Sequence, residues 1–372
     1  MGGGVGGLAA AIALRQAGFG VRVFERATRF GEVGTAITLW SNALRAARRL
    51  GVAEAIERAG PRIETADIRA RDGRLLVRTP VGGLAREIGA PSVCLPRASL
   101  QSVLLGAVAA DIVQLGAPCV AVRAEGERVV VRLGDGREEP GDVLIGADGI
   151  RSVVRDTLWG AQPPRYAGYT SWRAIVDFVH PSLQVGMATE TWGRGARFGI
   201  VPLSASRVYW FAKLTAAPGG TEPARETLGA RFAGWHEPIA GLIESTPEES
   251  VLRHDIYDRD PQARWGAGRI TLLGDAAHPT TPDLAQGACM AMEDAVVLAR
   301  ELAAGPDPVA ALRRYEARRI PRTAWLIRRA RQQAWVGQFE GALPTALRNL
   351  YLRMLPGWRV RGIFRSFVDF EA

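Results

Sequence analysis

The sequence predicts an α/β protein with a discontinuous open-sheet domain, an inserted and mostly antiparallel β domain, and a helical C-terminal segment. Three observations predict it. A glycine run at residues 2–7 opens a loop, helix, strand unit. Two later apolar runs, residues 142–146 and 270–273, read as buried strands of the same kind. Long β-rich stretches separate these pieces, and arginine-rich helical stretches follow them.

Each element has a local reason. Leu8, Ala11, Ile12 and Leu14 fall on helical spacing, and the pattern closes near Gly18. Val21-Arg22-Val23-Phe24-Glu25 reads as a buried strand. Residues 41–50 predict a helix ending at Gly51, residues 64–95 short β pieces, and residues 97–110 a helix. Residues 118–133 predict a meander turning at Gly134-Asp135-Gly136. Arg197–Pro202 and Arg207–Lys213 predict a hairpin around Ser204-Ala205-Ser206. A long helix is predicted from near Gln286 to Ala303. The implied division is residues 1–70, 97–160 and 266–320 for the first domain, 71–96 and 161–265 for the insert, and 321–372 for the helical segment.

Composition narrows the functional class. The chain has 372 residues, 47% hydrophobic and 23% charged, as in ordinary globular proteins. No apolar run is long enough for a membrane span, and no leader pattern is legible, so the expected location is the cytoplasm. Cys94, Cys119 and Cys289 are far apart without a CxxC pair, which argues against a metal site or a redox disulfide. The net charge of +9 is carried almost wholly by arginine, Lys213 being the only lysine. These arginines are scattered and no nucleic-acid motif accompanies them, so no nucleic-acid partner is expected. Residues 347–367 mix Arg with Leu, Trp and Phe; a core-packing helix is expected there, with a membrane-surface helix as the alternative.

Gly2, Gly4 and Gly7 fit G-x-G-x-x-G. The first glycine makes a tight turn, the second admits pyrophosphate, and the third lets helix pack on strand. Glu25 ends the next strand, where an acid can accept ribose hydroxyls. Asp148-Gly149 and Gly274-Asp275-Ala276-Ala277-His278-Pro279 each follow a buried strand. Either alone reads equally well as a turn. Three nucleotide-type signals in this order point to a Rossmann-like cofactor domain. Only one G-x-G-x-x-G is present, so no second dinucleotide unit is expected.

Taken together, these motifs resemble the single-component FAD-dependent aromatic hydroxylases, a flavoprotein monooxygenase family, from Gly2 to about Arg322. The resemblance implies that Gly2, Gly4, Gly7, Glu25, Arg97, Asp148, Asp275, Pro279 and Gly287 serve FAD. The segment Gly34-Thr35-Ala36-Ile37-Thr38-Leu39-Trp40-Ser41-Asn42-Ala43 also looks like the family's loop near the flavin. NAD(P)H would reduce the flavin and O2 would form a flavin hydroperoxide that hydroxylates an aromatic or heteroaromatic substrate. No triad is needed, and His278 is expected to order its loop. The segment Arg197–Pro202 with Arg207–Phe211, and the loop Thr280–Gly287, look similar to FAD-dependent urate hydroxylases. There an arginine and a tyrosine at the positions of Arg197 and Tyr209 hold the substrate, and Pro282 and Asp283 match the loop. An anionic, urate- or phenol-like substrate would suit Arg197; ordinary sheet surface is the competing reading. Ala285 departs from the glycine usual at its position. Alternatives are an FAD-dependent epoxidase or reductase acting on an isoprenoid or polyketide, and a truncated, inactive remnant. A homodimer is left open.

The remnant reading arises from the start of the sequence. A dinucleotide fold needs a strand before its glycine turn, and here the turn begins at Met1. Losing about six buried apolar residues at ~1.5–3 kcal/mol each would remove on the order of 10 kcal/mol. Such a loss is expected to leave two strands with unpaired backbone. A start further upstream accounts for this better than a damaged copy, because the other motifs are intact.

Overall fold

In the computed structural model, which describes residues 1–31 and 35–372, two short parallel strand pairs frame the glycine turn. Val23–Phe24 pairs with Val113–Gln114, and Leu144–Gly146 with Ile270–Leu272. The backbone of Met1 and Gly2 lies between the pairs. Gly2 N donates to Phe24 O at 2.8 Å, Met1 N to Ile145 O at 2.7 Å, and Ala147 N to Met1 O at 2.8 Å. The inner edges of both pairs are thus bridged at these residues.

The helix Val5–Gln16 follows. Its alanine-rich run from Leu8 to Leu14 is buried and packs on the helix Gly287–Ala303. Small residues let the axes approach: a Cβ on Gly6 would lie 2.6 Å from Leu273 and 3.2 Å from Ala291. Gly2 has φ +101°, and a Cβ there would meet Ala147 O at 2.2 Å. A Cβ on Gly7 would meet Gly2 O at 1.9 Å. Gly2 therefore needs glycine for conformation and for space, and Gly7 for space alone.

The second region is a seven-stranded mixed sheet. Its order is Leu252–Asp258, Arg165–Asp177, Arg207–Thr215, Ala196–Pro202, Met187–Trp192, Thr65–Ala70, Leu75–Thr79. Only Met187–Trp192 and Thr65–Ala70 run parallel. Alternation separates the faces of the hairpin. Val208, Trp210, Ala212 and Leu214 join Phe198 and Ile200 in a core against the helices Ala224–Phe232 and Ile239–Ser245. Truncating fully buried Trp210 to alanine would cost about 3–5 kcal/mol of this packing. Tyr209, Phe211 and Lys213 point the other way, toward a cavity. Gly199 makes room for Phe211, whose ring would lie 2.1 Å from a Cβ there.

Two strands sit apart from the sequence-based division. Thr65–Ala70, expected with the first domain, pairs with Met187–Trp192 in the large sheet. Val93–Pro96, expected with the insert, pairs with Ala36–Leu39. Alternation within a strand says which face is buried, not which strand lies beside it. The expected helices at 41–50 and 286–303 form as Ser41–Arg49 and Gly287–Ala303. The meander forms as Cys119–Glu125, Arg128–Leu133 and Glu138–Gly141. The C-terminal helices Pro308–Gly337, Ala342–Met354 and Gly357–Val368 complete the chain. In residues 347–367 one side packs inward, with Val360 buried and Phe364 and Phe367 against the core, while Leu347, Leu350, Met354 and Trp358 are exposed. No helix among the described residues is long and apolar enough to cross a membrane.

Candidate active site

The two regions meet at a cavity of about 840 Å³. One side comes from Gly4, Gly149, Asp275 and the loop Thr280–Gly287, and the other from Arg173, Tyr209, Phe211 and Lys213. The segment Thr35–Thr38 and Arg97 also line it, while Gly34 lies outside the described residues.

The glycine turn presents open space. Nothing lies within 4 Å of a Cβ built on Gly4, and no side chain caps the helix Val5–Gln16. Its first N–H groups are therefore available to an anion. Glu25 accepts from Gly3 N at 2.5 Å and Ala27 N at 2.9 Å, which fixes its carboxylate beside the turn. Asp148 Oδ2 accepts from Val153 N at 2.8 Å and Val154 N at 3.2 Å, so this acid caps the next helix. Its buried Oδ1 has no partner among the described residues.

Asp275 follows the strand Ile270–Leu272 and projects into the cavity. It is open to that cavity yet walled in by protein, and this enclosure raises its carboxyl above the usual range against the pull of His278 and Arg97. His278 Nε2 and Gly274 N both bind Asp294 Oδ2, at 2.5 Å and 3.0 Å. Burial opposes ionisation of Asp294, but His278 and Arg319 outweigh it and hold the carboxyl at about 2. His278 thus ties the loop to the helix Gly287–Ala303, a loop-ordering role. Pro279 is buried and does not line the cavity; Gly287 does. These donors and acceptors fit a dinucleotide cofactor: an uncapped helix start, an acid beside it, and an unpaired acid across a cavity.

The loop Thr280–Gly287 is pinned from several sides. Trp40 Nε1 donates to Leu284 O at 2.9 Å, and Gln333 Nε2 to Asp283 O at 3.1 Å. Tyr169 OH donates to Asp283 Oδ2 at 2.5 Å, and Lys213 Nζ to Asp283 Oδ1 at 3.0 Å. Ala285 holds φ +50°, the only positive φ outside glycine among the described residues. Cys289, at the start of the following helix, is buried and its thiol is pushed up to about 12, which makes it a packing residue.

Arg197 is placed differently from its expected role. It is 0% exposed, does not line the cavity, and makes a buried ion pair with Asp283. Glu190 lies 3.4 Å from its Nη1, and Trp192 stacks under the guanidinium at 5.6 Å. Register explains the burial: Arg197 lies opposite Lys213, beneath the Asp283 loop. Burial opposes ionisation of Asp283, yet Lys213, Arg197 and the Tyr169 hydroxyl hold its carboxyl well below the usual range. Burial, with Arg197 beside it, lowers Lys213. Arg197 and Lys213 thus face Asp283 and Glu190 in one buried cluster, with Arg348 close to Arg197. Tyr209 does line the cavity, and burial pushes its hydroxyl up to about 12.

Sequence reasoning missed Arg173, Tyr169 and Glu190. Arg173 lines the cavity and meets no carboxylate among the described residues; its Nε reaches Ser171 Oγ at 3.3 Å. Burial, then Arg173 and Arg97, lower the pKa of nearby His254. Arg173, Arg97 and Arg329 all line the cavity, and none of them meets a carboxylate among the described residues. Alternation in the strand Arg165–Asp177 was the available signal, since Ser171 and Arg173 share a face with Lys213 and Phe211 across the ladder.

With this geometry in place, the sequence profile of the FAD binding domain matches residues 1–330. The chain belongs to the FAD-dependent monooxygenases of the aromatic hydroxylase family. The family uses NAD(P)H and O2 with its FAD. The chain is 44% identical over 371 residues to the aurachin C monooxygenase/isomerase of Stigmatella aurantiaca, covering 99% of this chain and 97% of that protein. It is 37% identical over 340 residues to the FAD-dependent urate hydroxylase of Klebsiella pneumoniae subsp. pneumoniae, covering 90% and 88%. The crystal structure of Klebsiella pneumoniae HpxO with FAD and uric acid superposes with TM-score 0.93 at 33% identity, covering 99% of this chain and 95% of that one.

Proposed function

We propose that this monooxygenase hydroxylates a small aromatic or heteroaromatic ring seated between the loop Thr280–Gly287 and the side chains of Tyr209, Phe211 and Lys213. The observation that carries the reading is the cavity between these two walls. Relatives named for urate and for aurachin C support a conjugated ring as the substrate class.

FAD, when bound, supplies the electrons and the activated oxygen. Gly2, Gly4 and Gly7 with the helix start hold its pyrophosphate, Glu25 its ribose, and Arg97 and Asp275 its linking chain. Asp148 positions the turn through its helix cap. The backbone from Thr280 to Gly287 would line the ring system, with buried Pro279 behind it. The dipole of the 17-residue helix Gly287–Ala303 favours negative charge at that edge.

Tyr209 orients the substrate ring by its edge and hydroxyl, and Phe211 supplies an apolar contact. Pro282 shapes the turn on which Asp283 sits. Asp283 and Arg197 act through that loop as positioning residues. Because Arg197 is buried in its ion-pair cluster and does not line the cavity, an acidic oxygen on the substrate is met by Arg173. Water is kept out by the apolar lining from Trp40, Ile63, Val201 and Phe364.

The test is NAD(P)H oxidation by the FAD-loaded protein across a panel of ring compounds, with mass analysis of products. The reading expects acceleration by a ring compound that gains one oxygen atom. It fails if oxidation is never stimulated, or if the stimulating compound is reduced or epoxidised at an isolated alkene. Arg173→Met should raise KM for acidic ring substrates more than for neutral analogues.

A further inference from the structure

The helices Ala342–Met354 and Gly357–Val368 have two apolar sides. Inward, Leu352, Leu355, Val360, Phe364 and Phe367 line the cavity. Outward, Leu343, Leu347, Leu350 and Met354 recur at spacings of 4, 3 and 4 along one helix and face solvent. Trp358, four residues after Met354 at the start of the second helix, is exposed as well. Met354 is 72% exposed and Trp358 71%, far from the burial such side chains normally find. A contiguous stripe of this kind on the outside of a folded protein marks a contact surface.

Charge identifies the partner. Residues 341–368 contain five arginines and no aspartate or glutamate. Arg348 is buried, and Arg361 and Arg365 meet Glu87. Arg353 and Arg359 meet no carboxylate among the described residues, and Arg359 stacks on Trp358 at 5.3 Å. A second copy of the chain docking through the same patch would set arginine against arginine, because a twofold interface brings a surface against itself. An anionic lipid surface complements both the charge and the apolar stripe. Tryptophan and arginine beside leucine and methionine suit the boundary between headgroups and acyl chains.

We propose that the outer side of residues 342–368 docks on the surface of an anionic lipid bilayer. Leu343, Leu347, Leu350, Met354 and Trp358 insert at the headgroup boundary, and Arg353 and Arg359 bind lipid phosphates. The helix pair that walls the cavity then lies against the membrane.

Vesicle flotation of the FAD-loaded full chain tests this. Vesicles of phosphatidylcholine with phosphatidylglycerol are compared with phosphatidylcholine alone. Binding should be about tenfold or more tighter on the anionic vesicles, should weaken with added salt, and should shift tryptophan emission to the blue. The double variant Met354→Asp, Trp358→Asp should lose flotation while keeping its flavin content and its NAD(P)H oxidation rate. Neither side chain lines the cavity, so a loss of flavin would not accompany the loss of docking. The proposal is overturned if the native chain does not float on anionic vesicles, or binds both vesicle types alike. It is also overturned if the chain forms a concentration-dependent dimer that the same double variant abolishes. Failure of vesicle binding leaves the hydroxylase reading intact, because that reading is scored by oxygen gain on a soluble ring.

Discussion

Replacing Arg197 by methionine separates an internal ion pair from a substrate-binding cation. Arg197 and Asp283 both have fully buried side chains, and Lys213 and Glu190 complete the cluster. Methionine keeps much of the volume and removes the charge, leaving one cation against two carboxylates. Breaking a buried pair by removing one partner costs about 3–5 kcal/mol. At ~2.1 cal/mol/K per residue, the 372-residue chain has an unfolding entropy near ~0.8 kcal/mol/K, so Tm should fall by ~4–6 °C. Substrate is not required for this loss, which differential scanning calorimetry on the FAD-loaded, substrate-free protein will read. Asp283→Asn alone should also destabilise, and the double variant should recover part of the loss, with a coupling of ~1–3 kcal/mol. The pH dependence has a definite sign. Asp283 is depressed in the folded state, so its contribution is complete above the unfolded value near ~3.9 and is lost as pH falls through the lower folded value. Asp283→Asn should flatten the acid limb of stability. An unchanged Tm for Arg197→Met, with only substrate affinity reduced, would refute the internal-pair reasoning and return Arg197 to the substrate.

Three further substitutions test the site. Asp275→Ala should abolish stable FAD retention through gel filtration, and a full flavin complement after purification would remove Asp275 from the cofactor site. Ala285→Gly should raise stability by ~1 kcal/mol, because the left-handed conformation at φ +50° costs alanine ~1–2 kcal/mol and glycine gives part of that back as chain entropy. Equal or lower stability in denaturant melts would show that the loop does not hold this strain. Tyr209→Phe should raise KM modestly and divert NAD(P)H oxidation to hydrogen peroxide, as measured against product formed; native coupling would place Tyr209 outside the substrate contacts.

Much of this protein was legible along the chain. Gly2 and Gly7 state a steric requirement that no other residue meets, since a Cβ at either would strike a backbone carbonyl, while the open space at Gly4 is what a phosphate approach needs. Glu25, Asp148 and Asp275 could be located because each follows a short buried strand. The Tyr209, Phe211 and Lys213 face followed from the two-residue period of a strand. Such features depend on neighbours a few residues away, and local order preserves them.

Tertiary structure decided what depends on distant partners. Whether Thr65–Ala70 joins the large sheet is set by edge pairing with Met187–Trp192, more than a hundred residues away. Arg197 has the same local sequence whether it faces a ligand or a carboxylate; only the tertiary structure shows the loop carrying Asp283 packed against it. Arg173 became prominent only because it lines the cavity and meets no carboxylate among the described residues. The outer stripe of Ala342–Met354 has the spacing of a core helix, and only the location of the rest of the fold shows that it faces solvent. Periodicity specifies that a side is apolar, while the identity of what covers that side is a property of the assembled chain.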